Sequence, residues 1–197
     1  MNEESIVFPL IYPSEKYNYS AISYALYEQF DCVISEFAYK SDCKFNQRFI
    51  DFVAFNENLS IAMEVKRIDL EYDKNLRNNT LNIISNGFLQ LYDMQKTKSI
   101  RFSYDFKILF VICPIWVKKS KKSLDKLKTD NTNLPKKLLD NIATWLDGRR
   151  NSSVLCATLD MRECIYGDKI LPFEGENIPY IMLFAIVLGN KNIKNKY

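Results

Sequence analysis

Residues 48–69, RFIDFVAFNENLSIAMEVKRID, constrain what this chain can fold into more than any other stretch. They read as two strands and a turn. The first strand, over 49–55, is apolar on both faces, with Phe49, Val53 and Phe55 on one and Ile50, Phe52 and Ala54 on the other. A strand covered on both faces leaves a carboxylate no inexpensive place, yet Asp51 sits in its middle. Asn56-Glu57-Asn58 supplies turn-forming side chains. The second strand, over 59–68, alternates: Ile61, Met63 and Val65 point one way, Ala62, Glu64 and Lys66 the other. Paired as a hairpin, the strands set Asp51 beside Glu64 and Lys66. Two carboxylates and an ammonium in partly apolar surroundings can hold a hard divalent cation and meet a phosphate.

The chain has no histidine. That excludes Ser-His-Asp and Cys-His hydrolases, His-ligated zinc enzymes and nucleases with a histidine base. Hydrolytic chemistry here rests mainly on carboxylates, lysine and metal. Cys32, Cys43, Cys113, Cys156 and Cys164 are odd in number, scattered and free of a C-x-x-C pair. They argue against a disulfide framework or zinc cage and fit a reducing cytoplasm. The opening MNEESIVFPL lacks the basic-then-apolar pattern of a signal peptide, and the longest apolar run, 178–188, is too short to span a bilayer. A cytoplasmic protein with no membrane contact is expected. With 47% hydrophobic residues over 197 positions, one domain spanning 1–197 can bury a core. The net charge of +3 is too small to name a partner.

In chain order, 1–18 reads as an arm packed on the domain. Ser20 can cap a helix over roughly 20–30, with Ile22, Ala25, Leu26 and Phe30 at helical spacing and Glu28 on a neighbouring stripe. Residues 32–39 read as the first strand, ahead of the two central ones. The polar stretch 70–79 reads as a loop. Residues 80–98 regain helical period through Leu81, Ile84, Phe88, Leu91 and Met94, and Gly87 allows close packing on a sheet. Residues 106–113 form a central strand that Pro114 ends. Lys118, Lys119, Lys121, Lys122, Lys126 and Lys128 follow, against the lone acid Asp125. They are either a solvated face or a patch that tracks phosphates. Residues 134–146 form a helix, 154–159 and 163–166 a strand pair, and 178–188 a final buried strand or helix. The order predicts a mixed α/β core with helices against a central sheet and C-terminal additions.

An isolated E-x-K is also what the wet face of an edge strand looks like. Asp51 on a doubly apolar strand one hairpin earlier makes the difference. Together, Asp51 and Glu64-Val65-Lys66 resemble the core of the PD-(D/E)xK nuclease superfamily, with its restriction-endonuclease-like α-β-β-β-α-β fold. Asp51 matches the first acidic position, and Glu64 and Lys66 match the (D/E)-x-K, within an element order covering about 19–115. Many members carry a further glutamate on the first helix; Glu28 fits that place, with Glu36 as its rival and Glu15 behind both. The sequence departs from the pattern where Ile50 replaces the proline, and Gln90-Leu91-Tyr92 lacks the Gln-x-x-x-Tyr spacing of RecB-like members.

The resemblance implies a Mg²⁺-dependent DNA endonuclease, with Mn²⁺ as a possible substitute. Asp51, Glu64 and the Val65 carbonyl are then the metal ligands. Lys66 positions the attacking water, and Glu28 assists. Lys118, Lys119, Lys121, Lys122 and Arg67 become nucleic-acid contacts, although Arg67 alternates away from Lys66 and can equally face solvent. A homodimer is the simplest way to cut two strands. Two other readings remain open: a catalytically inactive nuclease-fold module binding nucleic acid or a protein partner, and a structural domain carrying the motif by chance.

Overall fold

The structure, a computed structural model, describes residues 15–40, 47–72, 77–96, 104–118, 122, 125–127, 134–146, 152–162 and 176–189. A 3-10 turn, Glu15–Asn18, leads into helix α1, Tyr19–Tyr27. Strands β1 (Cys32–Lys40), β2 (Gln47–Phe55) and β3 (Ser60–Arg67) follow, then a short strand β4 (Leu70–Glu71). Helix α2 (Arg77–Lys96), strand β5 (Phe106–Lys118), helix α3 (Leu134–Leu146) and strands β6 (Ser152–Asp160) and β7 (Glu176–Gly189) complete it. The seven strands form one mixed sheet in the order β1-β2-β3-β5-β7-β6, with β4 also on β5. β3 and β4 run parallel to β5; every other pair is antiparallel. Parallel strands need a crossover, and the segment carrying α2 supplies the one from β3 to β5.

Helices cover the sheet unequally. On one face, Ile84, Phe88, Leu91 and Met94 of α2 and Leu138, Ile142 and Leu146 of α3 pack with Leu109 and Val111 of β5 and Phe184 of β7. The spacing of those α2 positions is a helical stripe, which is why this face of α2 turns inward. On the other face, Leu26 of α1 packs with Phe52, Ala54, Ile61, Met63 and Val65. Among the described residues, no helix is long and apolar enough to cross a membrane.

Several local expectations are corrected. No side chain caps α1, Ser20 included: the helix grows out of the 3-10 turn, and Asn18 before it already has helical backbone angles. Residues 70–71 are strand rather than loop. β5 outruns β3, and Leu70 and Glu71 occupy the edge it would leave bare, paired with Ile115 and Trp116. A two-residue strand carries no periodicity to read. α2 begins at Arg77, inside the expected loop. Pro114 does not end β5, which continues to Lys118. Ile112 and Trp116 offer their carbonyls to Ile68 and Tyr72, so alternation points the nitrogen of Pro114 to the same side. The donor it lacks falls at the break between β3 and β4, where little pairing is lost. Residues 178–188 lie within strand β7, which pairs with β6; residues 163–166, the expected partner of β6, lie outside the described residues.

Candidate active site

β1 and β2 keep one register from Cys32–Phe55 to Lys40–Gln47, but the Glu36–Asp51 pair is missing from the ladder. Glu36 has φ of 50°, a left-handed conformation uncommon for a residue with a Cβ. The pleat changes phase there. Val33 packs with the α1 layer, whereas Phe37 and Tyr39 pack with the α2 layer, although strict alternation would put all three on one face. On β2, Phe52 and Ala54 join the α1 layer and Ile50 the α2 layer. Ile50, Phe52 and Ala54 therefore do not share a face as expected, and Phe49 and Phe55 are exposed. Asp51 stands at the bend.

β2 and β3 pair only from Phe55–Ser60 to Phe52–Met63. One step further, where Asp51 and Glu64 would be cross-strand neighbours, the ladder stops. The amides of β3 that face β2 then need other acceptors. The Val65 N–H donates to Asp51 Oδ2 at 2.7 Å, and the Arg67 N–H donates to Glu15 Oε1 at 3.0 Å. Two carboxylates thus stand in for the missing strand. Asp51 Oδ1 accepts the hydroxyl of Tyr19, at the start of α1. The Val65 carbonyl points to the same side of β3 as its N–H, into the opening.

Glu64 and Lys66 lie on the α2 face of β3. Lys66 Nζ donates to Glu64 Oε1 at 2.7 Å. Glu64 is 1% exposed, and its Oε2 is buried with no hydrogen-bond partner among the described residues. An orphaned acceptor of this kind is costly. Burial, followed by the charge of Asp51, pushes the Glu64 carboxyl up to about 7, against the pull of Lys66. Burial also works against the charge on Lys66. The hydrogen bond and charge of Glu64, with the charges of Glu15 and Asp51, more than offset it and hold Lys66 above its ordinary pKa. Lys66 is thus an ammonium at neutral pH. Gly87 of α2 lies over its stem: a Cβ at Gly87 would stand 3.3 Å from Lys66 Cγ and 2.5 Å from Leu109 Cδ1.

Asp51, Glu64, Val65 and Lys66 are thus brought together, and Glu28 is not. Glu28 is exposed at the C-terminal end of α1. The Asn56 side chain donates to the Gln29 carbonyl, which places that helix end at the β2–β3 turn, four to five residues and about 15 Å along the strand from Asp51. Glu36, the rival, is exposed and paired with Lys16. Glu15 is the third acid of the site, and its charge acts on both Glu64 and Lys66. The Arg67 side chain is 5% exposed and closes on Asp69 at 2.7 Å, so it does not present a charge for a phosphate. Lys122 is exposed. The Lys118 side chain, Lys119 and Lys121 lie outside the described residues. Tyr19 carries no signal of its own in the sequence, one of 12 tyrosines in the chain.

No three carboxylate, thiol or imidazole groups among the described residues converge into a cation cage. Mg²⁺ does not require one, because it is held through one or two carboxylates and keeps most of its waters. The orphaned Glu64 Oε2, the remaining lone pairs of Asp51 and the Val65 carbonyl fit that donor set. An ammonium beside them suits a reaction that gathers negative charge. Comparisons with known protein families, curated proteins and solved structures find no match for this chain.

Proposed function

We propose that this chain is a Mg²⁺-dependent DNA endonuclease of the PD-(D/E)xK type, built on a restriction-endonuclease-like core and acting in restriction or DNA processing. The observation that carries the reading is the convergence of Asp51, Glu64 and Lys66 where β2 and β3 part. The helix-strand-strand-strand-helix order around them supports it, interrupted among the described residues only by the short β4.

In this reading Asp51, Glu64 and the Val65 carbonyl hold Mg²⁺, or Mn²⁺ in its place. The bound ion supplies an acidified water and charge stabilisation at the departing oxygen. Lys66, charged and fixed by Glu64, orients the attacking water and offsets charge on the phosphate. Glu15 takes the assisting place first given to Glu28. Lys118, Lys119, Lys121 and Lys122 contribute contacts to the DNA backbone that do not depend on sequence. A homodimer provides one site per strand. A second reading, an inactive module that binds nucleic acid or a protein, is favoured by one observation: both Asp51 oxygens already accept hydrogen bonds.

Incubation of supercoiled plasmid with Mg²⁺ or Mn²⁺ tests the proposal. The wild-type protein should nick or linearise it. Asp51→Asn should lose both cleavage and Mn²⁺ binding. Lys66→Ala should lose cleavage but keep Mn²⁺ affinity, because an ammonium cannot ligate the ion. Intact plasmid under every condition would sink the nuclease reading, and DNA binding without metal would then favour the module.

A further inference from the structure

The Asp51 carboxylate hangs on two torsions, and its orientation decides which lone pairs remain for a cation. Each oxygen has two. The Val65 N–H takes one on Oδ2 and the Tyr19 hydroxyl takes one on Oδ1. One lone pair per oxygen is left, and two donors on two oxygens fix both torsions. The Tyr19 ring is itself held: it stands edge-on to Phe52, with centroids 5.0 Å apart and planes at 62°. Phe52 is fully buried and follows Asp51 on β2. The ring's support and the hydroxyl's acceptor are therefore consecutive residues of one strand. Tyr19 also follows directly on the turn that delivers Glu15 to Arg67.

We propose that Tyr19 is a positioning residue for the reaction put forward above, its hydroxyl holding Asp51 so that the free lone pair of each oxygen faces the opening between β2 and β3. The inference rests on that reading. A Tyr19 that served only to fasten α1 to the sheet would need its ring chiefly, and phenylalanine would keep it. An oriented carboxylate needs the O–H. Removing a hydrogen-bond partner from a metal-binding side chain typically costs about 10–100-fold in affinity or activity.

Tyr19→Phe, Asp51→Asn and wild type would be compared by Mn²⁺ calorimetry, plasmid cleavage and thermal unfolding. Tyr19→Phe should unfold cooperatively within a few degrees of wild type. Its Mn²⁺ affinity or its kcat should fall about 10–100-fold, with KM for DNA unchanged. Asp51→Asn should bind no Mn²⁺. A folded Tyr19→Phe with wild-type Mn²⁺ affinity and kcat would overturn the positioning role while leaving the nuclease reading intact. A wild-type protein that neither binds Mn²⁺ nor cuts DNA would remove that reading, and the role of Tyr19 with it.

Discussion

The buried Glu64 makes the metal-free protein lose stability as pH rises from about 4.5 towards neutrality. Its carboxyl titrates at about 7 in the fold against 4.5 as an isolated group. Between those values the folded chain holds a proton that the unfolded chain has released, so stability falls with rising pH and levels off above about 7. At about 1.4 kcal/mol per pH unit, the whole step amounts to roughly 3 kcal/mol. That is a large part of the 5–15 kcal/mol that commonly holds a domain together. For a chain of this size it corresponds to a fall of about 6–12 °C in unfolding midpoint. The window is unusually clean because the chain has no histidine, and ordinary carboxylates finish titrating near its lower end. Lys66, held above its usual 10.5, keeps its own contribution in full across this range, because that contribution is lost only as pH rises beyond 10.5. Urea or thermal unfolding of wild type and Glu64→Gln from pH 4.5 to 8, without divalent cations, measures the effect. The difference between the two curves should carry the step, because the amide cannot ionise. Parallel curves would refute the reasoning and mean that Glu64 is solvated or fully compensated by Lys66.

Two further outcomes follow from the same region and its flank. Gly87→Ala should gain about 1 kcal/mol of helix propensity and lose about 1–3 kcal/mol to overpacking, since the new Cβ meets the fully buried Leu109 and the stem of Lys66. Urea unfolding should show a net loss of about 1 kcal/mol, with any cleavage activity falling further because Lys66 is displaced. Replacing Lys118, Lys119, Lys121 and Lys122 by glutamate should weaken DNA binding for all sequences and flatten its salt dependence. An unchanged slope in a salt titration would return these lysines to a solvated face.

Asp51, Glu64 and Lys66 were legible in the sequence because a hairpin is local. Period-two alternation puts Glu64 and Lys66 on one face, Asn56 accepts from the amides of Asn58 and Leu59 to close the turn, and a carboxylate within an apolar strand stands out. The inward stripe of α2 and the bounds of α3 followed from helical period in the same way. Only the tertiary structure decided the rest. Glu15 and Tyr19 carry no periodic signal; each matters because β2 leaves β3 after Phe52–Met63 and exposes amides and a carboxylate to them. The change of pleat at Glu36 turns on one residue's backbone angle, which alternation cannot express. Arg67 looked free to face solvent and instead closes on Asp69. Periodicity records what a residue does within its own element, whereas the contacts that complete this site join segments tens of residues apart, where strand divergence determines which donors are left unpaired.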